Sequence, residues 1–274
     1  MHDLVGCSPI GETAIAMQGE CLVSPEAKIG RNVEIGIGTR IYPWVELGDD
    51  TTIGDFCIIG HPTRSCTGKT VIGPGSVIRS HSVIYRDVEL GERFETGHHA
   101  LMRDGVRAGI NLRMGSFADI EGDCVVGDYC RFHGYSHIGR GSRIGSFVWI
   151  FSNTILLNDP LPPSHIERPV TVEDGVVVCA TAIAMPGAVL RTGAFICAGA
   201  RAYGDVPPGG VVEGPRGEVV SHVALLAHLE TRTSHPWMGH FHDAYPPEAQ
   251  ERIRALAENI QNDRRKFRKR RNRA

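Results

Sequence analysis

Apolar and polar positions recur along this chain with a period of six residues. An apolar or small residue occupies every sixth position from 29 to 59, again from 72 to 156, and again from 172 to 202. Four residues later comes a second small or β-branched residue, as at Val33, Thr51 and Cys124. A fixed short period indicates a repeat architecture, in which each repeat forms one structural unit.

These two recurring positions predict a short strand and a tight turn in each hexad, with both positions facing a shared interior. Three hexads would close one triangular coil, and parallel pairing would stack the coils about 4.8 Å apart. The predicted fold class is therefore all-β, a parallel β-helix of about nine 18-residue coils with a short helical C-terminal extension.

Two insertions interrupt the repeat and preserve its register. Ile59 and Ile72 are 13 positions apart, seven more than one hexad, and Leu156 and Val172 are 16 apart, ten more. Both inserted segments contain proline, which disfavours a paired central strand. We expect loops at 61–70 and 157–171 that project from the coil and cover part of its surface.

The chain divides into four predicted segments: an N-terminal segment (1–16), the β-helix (17–207), a C-terminal extension with a helix (208–263) and a basic tail (264–274). The helix is predicted to begin at Pro246-Pro247-Glu248, because proline and an acidic residue suit the first turn. Apolar residues at helical spacing give it one face for packing: Ile253, Leu256, Ala257 and Ile260.

Composition adds three expectations. No signal peptide and no run of 18 apolar residues is visible, so we expect a cytoplasmic protein without a membrane span. Eight Lys or Arg fall within the last 11 residues, which favours a solvated tail or docking to an acidic partner such as an acyl carrier protein; nucleic acid is not expected. Among the eight cysteines there is no CxxC pair, and Cys57, Cys124 and Cys130 occupy inward positions, so core packing in a reducing compartment is predicted.

Several segments resemble the hexapeptide-repeat acyltransferases, which are left-handed parallel β-helices. Ala198-Gly199-Ala200 and the stretch 205–215 are similar to the end of the repeat in many coenzyme A-dependent members. Residues 96–104 and 158–162 are similar to segments of bacterial N-acetyltransferases that act on nucleotide-linked amino sugars, although His99 stands where Asn is expected. The left-handed coil comes from this resemblance, since most crossover connections are right-handed.

The resemblance implies a function and an assembly. The expected reaction is direct transfer of an acetyl or other short acyl group from acetyl-CoA, as co-substrate, to an amine of an amino sugar or sugar nucleotide. The expected assembly is a homotrimer with sites between neighbouring coils, and no metal is expected. In acyltransferases of this fold a base commonly occupies the third place of a hexad, which makes His98 the first candidate and His99 the second.

The 18-residue register gathers the candidate chemistry on one corner and its adjoining flank. Imidazole titrates near neutral pH and suits proton removal from the attacking amine. A carboxylate could orient that imidazole or bind the amine, and a backbone N–H could stabilise the oxyanion. The residues predicted to bind the acceptor are Arg103, Asp119, Glu121, His137, Asn158 and Asp159. Those predicted to bind the cofactor are Asn153, Arg201 and Arg216, the two arginines through phosphates.

Alternatives stay open at this stage. Some family members work without a protein base, because the amine binds already neutral. O-acetyl transfer, a carrier-protein donor and a non-catalytic scaffold are all compatible with the pattern. A γ-type carbonic anhydrase-like metalloenzyme is another alternative: Phe132-His133-Gly134 is similar to one ligand segment, but Asp128 stands where its companion histidine is expected. Cysteine acyl-enzyme chemistry is disfavoured because the register places no histidine near Cys179 or Cys197.

Overall fold

The computed structural model describes residues 16–17, 20–64, 66–227, 230, 233 and 236–271, the side chains of 16–17 and 265–271 excepted. It contains two compact units, residues 1–141 and 142–274. Each unit is a parallel β-solenoid built from very short strands. The predicted fold class is confirmed, and the left-handed coiling remains a prediction from the resemblance. The predicted N-terminal segment lies outside the described residues apart from Ala16.

The regular elements among the described residues of unit 1 are all strands. They are β1 Ala16–Met17, β2 Leu22–Val23, β3 Lys28–Ile29, β4 Glu34–Ile35, β5 Arg40–Ile41, β6 Val45–Leu47, β7 Thr52–Ile53, β8 Ile58–His61, β9 Thr70–Ile72, β10 Val77–Ile78, β11 Val83–Tyr85, β12 Glu89–Leu90, β13 Glu95–Thr96, β14 Leu101–Met102, β15 Arg107–Ala108, β16 Arg113–Met114, β17 Asp119–Ile120, β18 Val125–Val126, β19 Arg131–Phe132 and β20 His137–Ile138. Every third strand pairs, so the unit has three parallel sheets, one along each side of the coil.

Unit 2 has the same three-sided pattern and, in addition, helices. Its strands are β21 Arg143–Ile144, β22 Trp149–Ile150, β23 Ile155–Leu156, β24 Thr171–Val172, β25 Val177–Val178, β26 Ile183–Ala184, β27 Val189–Leu190, β28 Phe195–Ile196, β29 Arg201–Ala202, β30 Asp205–Val206, β31 Gly210–Glu213 and β32 Glu218–His222. Its helices are α1 Met238–Phe241 and α2 Pro247–Arg271, with 3₁₀ turns at Val223–Leu225 and His242–Ala244. None of the described helices combines the length and hydropathy needed to cross a bilayer.

The strand register explains how the insertions are accommodated. Regular coils pair residues 18 positions apart, as Asp119 pairs with His137. Val45 pairs with Thr70, 25 positions on, so seven residues leave the ladder there. Arg143 pairs with Thr171, 28 positions on, so ten residues leave it there. The side chains that face inward are therefore the same before and after each loop.

Packing in the interior follows the hexad pattern. Cys57, Cys124 and Cys130 have no exposed surface, which confirms them as core residues. The fourth residue of most hexads has a positive φ of 53–64° when it is not glycine, as at His99 and Tyr135. This left-handed conformation turns each corner and costs energy for a residue with a Cβ, so the regular strand pairing on both sides must hold it in place.

The repeat extends further than the sequence predicted. Together the described parts of the two units have about 11 turns, against the nine predicted. Val189 pairs with Asp205, 16 positions on, because this coil is two residues shorter than the others. Because that shortening breaks the six-residue period, the sequence pattern did not predict strands β30 and β31. Strand β32 then pairs antiparallel with β31 and ends the sheet.

The C-terminal extension packs on unit 2 through the predicted apolar stripe. Ile253 and Ile260 are 0% and 1% exposed. Ile260 lies over Gly193, where a Cβ would meet its Cδ1 at 2.4 Å. Glycine is therefore required at this contact for α2 to approach the coil. The helix continues to Arg271, so much of the predicted basic tail is helical backbone, and 272–274 lie outside the described residues.

Candidate functional site

An outward-facing histidine–carboxylate pair stands on one side of unit 1. Strands β17 and β20 pair in parallel, which places Asp119 directly beside His137. Nδ1 of His137 lies 2.8 Å from Oδ2 of Asp119, a hydrogen-bond distance. The side chains are 35% and 30% exposed, so both remain open to a ligand. The register predicted that these residues share a flank, and the structure adds the hydrogen bond.

The carboxylate changes the acid–base properties of the imidazole. The hydrogen bond that His137 donates to Asp119 raises the pKa of His137 above 6.5, partial burial opposes this rise, and the charges of Asp119 and Glu121 add to it. Because a carboxylate only accepts, Nδ1 carries the proton in this pair. The remaining nitrogen, Nε2, then has the lone pair that can take a proton.

Glu121 and Arg103 flank this pair in the same sheet. Oε2 of Glu121 accepts a hydrogen bond of 2.9 Å from the backbone N–H of Arg140. The guanidinium of Arg103 lies 5.1 Å from the ring centre of Tyr85, and its Nε is 3.6 Å from Oδ1 of Asp104. Two carboxylates, one imidazole and one guanidinium therefore share one face of the coil.

The predicted catalytic corner carries a continuous stack of rings. Successive centroids are 4.7–5.3 Å apart and successive planes differ by 4–14° along Phe56, His81, His99, Phe117 and Tyr135. Each ring belongs to a corner residue with positive φ, so the coil repeat itself sets the spacing. Both faces of the His99 ring are covered by neighbours, and only its edge remains available for chemistry.

His98 lies beside this stack on the outside of the corner. Its side chain is exposed, and its backbone N–H donates a 3.0 Å hydrogen bond to Oγ of Ser116. Its assignment as a base stays a prediction.

Sequence reasoning missed an aromatic and guanidinium surface near the first loop. Tyr85 contacts His61, with ring centroids 4.7 Å apart, at a bulge in the pairing of β8 with β11. Arg86 stacks on Trp44 with 3.9 Å between guanidinium carbon and ring centre, and Tyr42 stacks beside that indole at 5.6 Å. Carrying the register across the seven-residue insertion would have placed Gly60 beside Tyr85 and His61 one position further on, and the bulge then brings His61 to Tyr85.

The predicted residues of the second loop lie in unit 2. Asn158 accepts a backbone hydrogen bond of 2.7 Å from Arg168 at the base of the loop. The carboxylate of Asp159 accepts from the backbone N–H groups of Leu161 and Ser164 and from Oγ of Ser164. The hydroxyl of Ser164 contributes most to lowering the pKa of Asp159. Asp159 therefore organises its own loop, and any contact with a ligand remains a prediction.

The predicted cofactor residues also lie in unit 2. Arg201 and Arg216 are both exposed, and the backbone N–H of Arg201 donates to Gly214 in the turn that carries Arg216. Asn153 occupies a corner with φ of 59°. The two arginines therefore belong to the same end of unit 2.

One prediction about cysteine needs correction. The register places no histidine near Cys179, but His240 of the C-terminal extension lines the same cavity as that thiol. The extension lies outside the repeat, so the register could not place it. Burial raises the pKa of Cys179 to about 11, which keeps the thiol protonated at neutral pH.

In the ranges that the structure describes, no three His, Cys, Asp or Glu side chains are grouped to hold a metal ion. Burial lowers the pKa of His133, the histidine of the segment that resembles a carbonic anhydrase ligand.

Comparison with known proteins agrees with the fold and the repeat. Residues 26–61 match the family described as bacterial transferase hexapeptide (six repeats). The bifunctional protein GlmU of Geobacillus sp. is 29% identical over 192 residues, which cover 70% of this chain and 40% of that protein. GlmU of Exiguobacterium sp. is 32% identical over 179 residues, which cover 65% and 38%. This chain thus spans about two-fifths of the length of these relatives.

A solved structure shows the same architecture. That of an Arabidopsis UDP-N-acetylglucosamine acyltransferase aligns over 90% of this chain and 95% of its own, with a TM-score of 0.63 and 19% identity. At this identity the likeness shows the fold. The match of residues 26–61 and these similarities confirm the predicted resemblance to hexapeptide-repeat transferases.

Proposed function

We propose that this protein transfers an acyl group from a thioester donor to the amine of a nucleotide-linked amino sugar. The observation that carries the proposal is the hydrogen bond between Asp119 and His137 on an open face of the coil. Family relatives support the reaction class, since an acyltransferase acting on UDP-N-acetylglucosamine shares the fold.

His137 is the proposed base. The amine nitrogen attacks the thioester carbonyl carbon, and Nε2 of His137 takes the proton that the nitrogen loses. The carbon–sulfur bond then breaks, and the same proton passes to the departing sulfur. Asp119 holds the imidazole in the tautomer that can accept, and its charge stabilises the imidazolium that forms. His98 is the competing candidate, carried by the family resemblance.

The acceptor is proposed to bind along the face that holds this pair. Glu121 lies two residues after Asp119 and offers an anion for the amino group. Arg103 directly follows the neighbouring strand β14, and Tyr85 ends the next strand, β11, so Tyr85 is roughly 10 Å from Glu121 at the usual strand spacing. Glu121 suits the amine, the guanidinium of Arg103 suits phosphate, and the aromatic ring of Tyr85 suits a nucleobase. The sugar amine, the phosphates and the base follow in the same order in a sugar nucleotide.

The donor is proposed to be acetyl-CoA. Arg201 and Arg216 are exposed cations at one end of unit 2, and they suit the phosphates of coenzyme A. A carrier-protein donor is the alternative, with the basic end of α2 as the docking element. A homotrimer with sites between neighbouring chains is proposed on the family resemblance.

A thiol-release assay on the full chain tests this function. Acetyl-CoA would be offered with a panel of nucleotide-linked amino sugars, and turnover is expected with at least one of them. His137→Gln should lower kcat at least 100-fold, the usual range for loss of a general base. Arg113→Gln, on a different sheet and 53% exposed, is the matched control and should leave turnover unchanged.

Two outcomes would contradict the proposal. Wild-type turnover in His137→Gln together with a large loss in His98→Ala would move the base to His98. Absence of thiol release and of saturable acetyl-CoA binding would favour a scaffold without catalysis.

A further inference from the structure

The cavity beside Cys179, in unit 2, is separate from the groups used in the proposed reaction. Its volume is about 310 Å³. One wall is the outer face of three consecutive strands, where Trp149 pairs with Val177 and Val177 with Phe195. The C-terminal extension forms the opposite wall with Trp237 and the 45% exposed ring of Phe241.

The walls are held in place by ring contacts and one hydrogen bond. The centroid of Trp149 lies 5.7 Å from that of Trp237 and 5.9 Å from that of Phe241, both edge-on. Nε1 of Trp149 donates a 2.9 Å hydrogen bond to Oη of Tyr245. The cavity is therefore a built feature of the extension packed on the coil, with its walls fixed before any ligand binds.

We infer that this cavity binds the hydrocarbon chain of an amphiphilic acyl compound. Its lining is aromatic and aliphatic, with Cys179 and His240 as the exceptions. The pKa of the Cys179 thiol, raised to about 11, keeps that group neutral. A nucleobase would leave its amide and amine edges without partners here, whereas an alkyl chain has no polar edge to satisfy.

Size and polarity at the entrance support the same ligand. A cavity of about 150 Å³ holds benzene, so this one holds on the order of 12 carbon atoms. His240 is exposed where it borders the cavity, a position that suits a carboxylate or thioester head.

Tryptophan quenching provides a direct test, because two of the three tryptophans of the chain line the cavity. The full chain carrying Trp44→Phe would be titrated with 12-bromododecanoic acid, whose bromine quenches indoles that it touches. Saturable quenching is expected. Competing unlabelled fatty acids from six to 12 carbons should gain about fourfold in affinity for each added methylene.

Two variants and a control locate the binding. Val177→Phe fills the cavity and should weaken binding at least tenfold. Phe241→Ala removes an exposed wall and should also weaken it, which keeps the test available if Val177→Phe does not fold. Val125→Phe adds the same volume at a 43% exposed position of unit 1 and should change nothing.

Two comparisons complete the experiment. Dodecanoyl-CoA binding at least tenfold tighter than dodecanoate would identify a thioester as the source of the chain, and equal affinity would identify a free fatty acid. Quenching that does not saturate, or that is unchanged in both variants, overturns the inference. The inference is also overturned if the wild type binds no fatty acid and sedimentation shows that both variants dissociate an oligomer. Binding is measured without an acceptor, so its failure is distinguishable from failure of the proposed transfer.

Discussion

The rings of His81 and His99 lie parallel, 4.7 Å apart with 4° between their planes. They are one step in the corner stack that runs from Phe56 to Tyr135 in unit 1. The spacing equals the usual separation of paired strands. Stacking is therefore a consequence of placing a ring at the same left-handed corner of successive coils.

Removing the middle ring should weaken unit 1. His99→Asn keeps a residue that tolerates positive φ and deletes two ring contacts. Aromatic pairs contribute about 0.5–1.5 kcal/mol each, so the free energy of unfolding should fall by roughly 1–3 kcal/mol. Urea denaturation measures this, and His99→Phe, which retains a ring, should remain near wild type. Equal stability of all three proteins would show that the stack contributes nothing.

Asp119→Asn should lower the free energy of unfolding more at low pH than at high pH. The folded-state pKa of His137 is raised above 6.5, so the protonated pair stabilises the fold below that pH. This contribution is lost as pH rises through the folded-state pKa. The stability difference between wild type and Asp119→Asn should therefore be larger at pH 5.5 than at pH 9.

The same substitution should shift the pH profile of turnover. Loss of the carboxylate lowers the pKa of His137, so the acidic limb of kcat/KM should move to lower pH while the maximum rate falls. Asp123→Asn, an exposed carboxylate elsewhere in unit 1, is the control and should leave the limb in place. An unmoved limb in Asp119→Asn would separate His137 from the titrating base.

Docking of α2 should contribute strongly to unit 2. Ile253 is fully buried, and replacement of such a side chain by alanine costs about 2–5 kcal/mol. Ile253→Ala should lower the unfolding midpoint followed by tryptophan fluorescence, because Trp149 and Trp237 lie in this unit. Arg254→Ala, exposed on the same helix, should have little effect. A matching loss in both variants would show that burial of Ile253 does not account for the change.

Cys179 should react slowly with alkylating reagents at neutral pH. Its pKa is raised to about 11 by burial, so on the order of one thiol in three thousand is ionised at pH 7.5. Mass spectrometry of iodoacetamide-treated protein should show labelling that increases steeply towards pH 11. Fast labelling of Cys179 at pH 7.5 would reveal an activated thiol and reopen acyl-enzyme chemistry. Cys57, which is fully buried, offers a comparison within the same sample.

The sequence specified much of the fold because its period matches one side of the coil. Inward positions such as Cys57 and Cys124 follow from counting by six, and the insertions preserve that count. The period failed at the coil with Val189 and Asp205, which is two residues shorter. A local deletion of this kind leaves the strand pairing intact but interrupts the six-residue period from which the strands were predicted.

For the candidate site, the sequence determined which residues share a face, since parallel pairing places Asp119 beside His137 once the register is known. It could not determine side-chain rotamers, so the hydrogen bond of that pair and the stacking of the corner rings required the tertiary structure. Nor could it place Trp237 against Trp149, because no repeat relates the C-terminal extension to the coil. Local periodicity sets the order of paired strands, whereas contacts across long sequence separations depend on how whole surfaces pack.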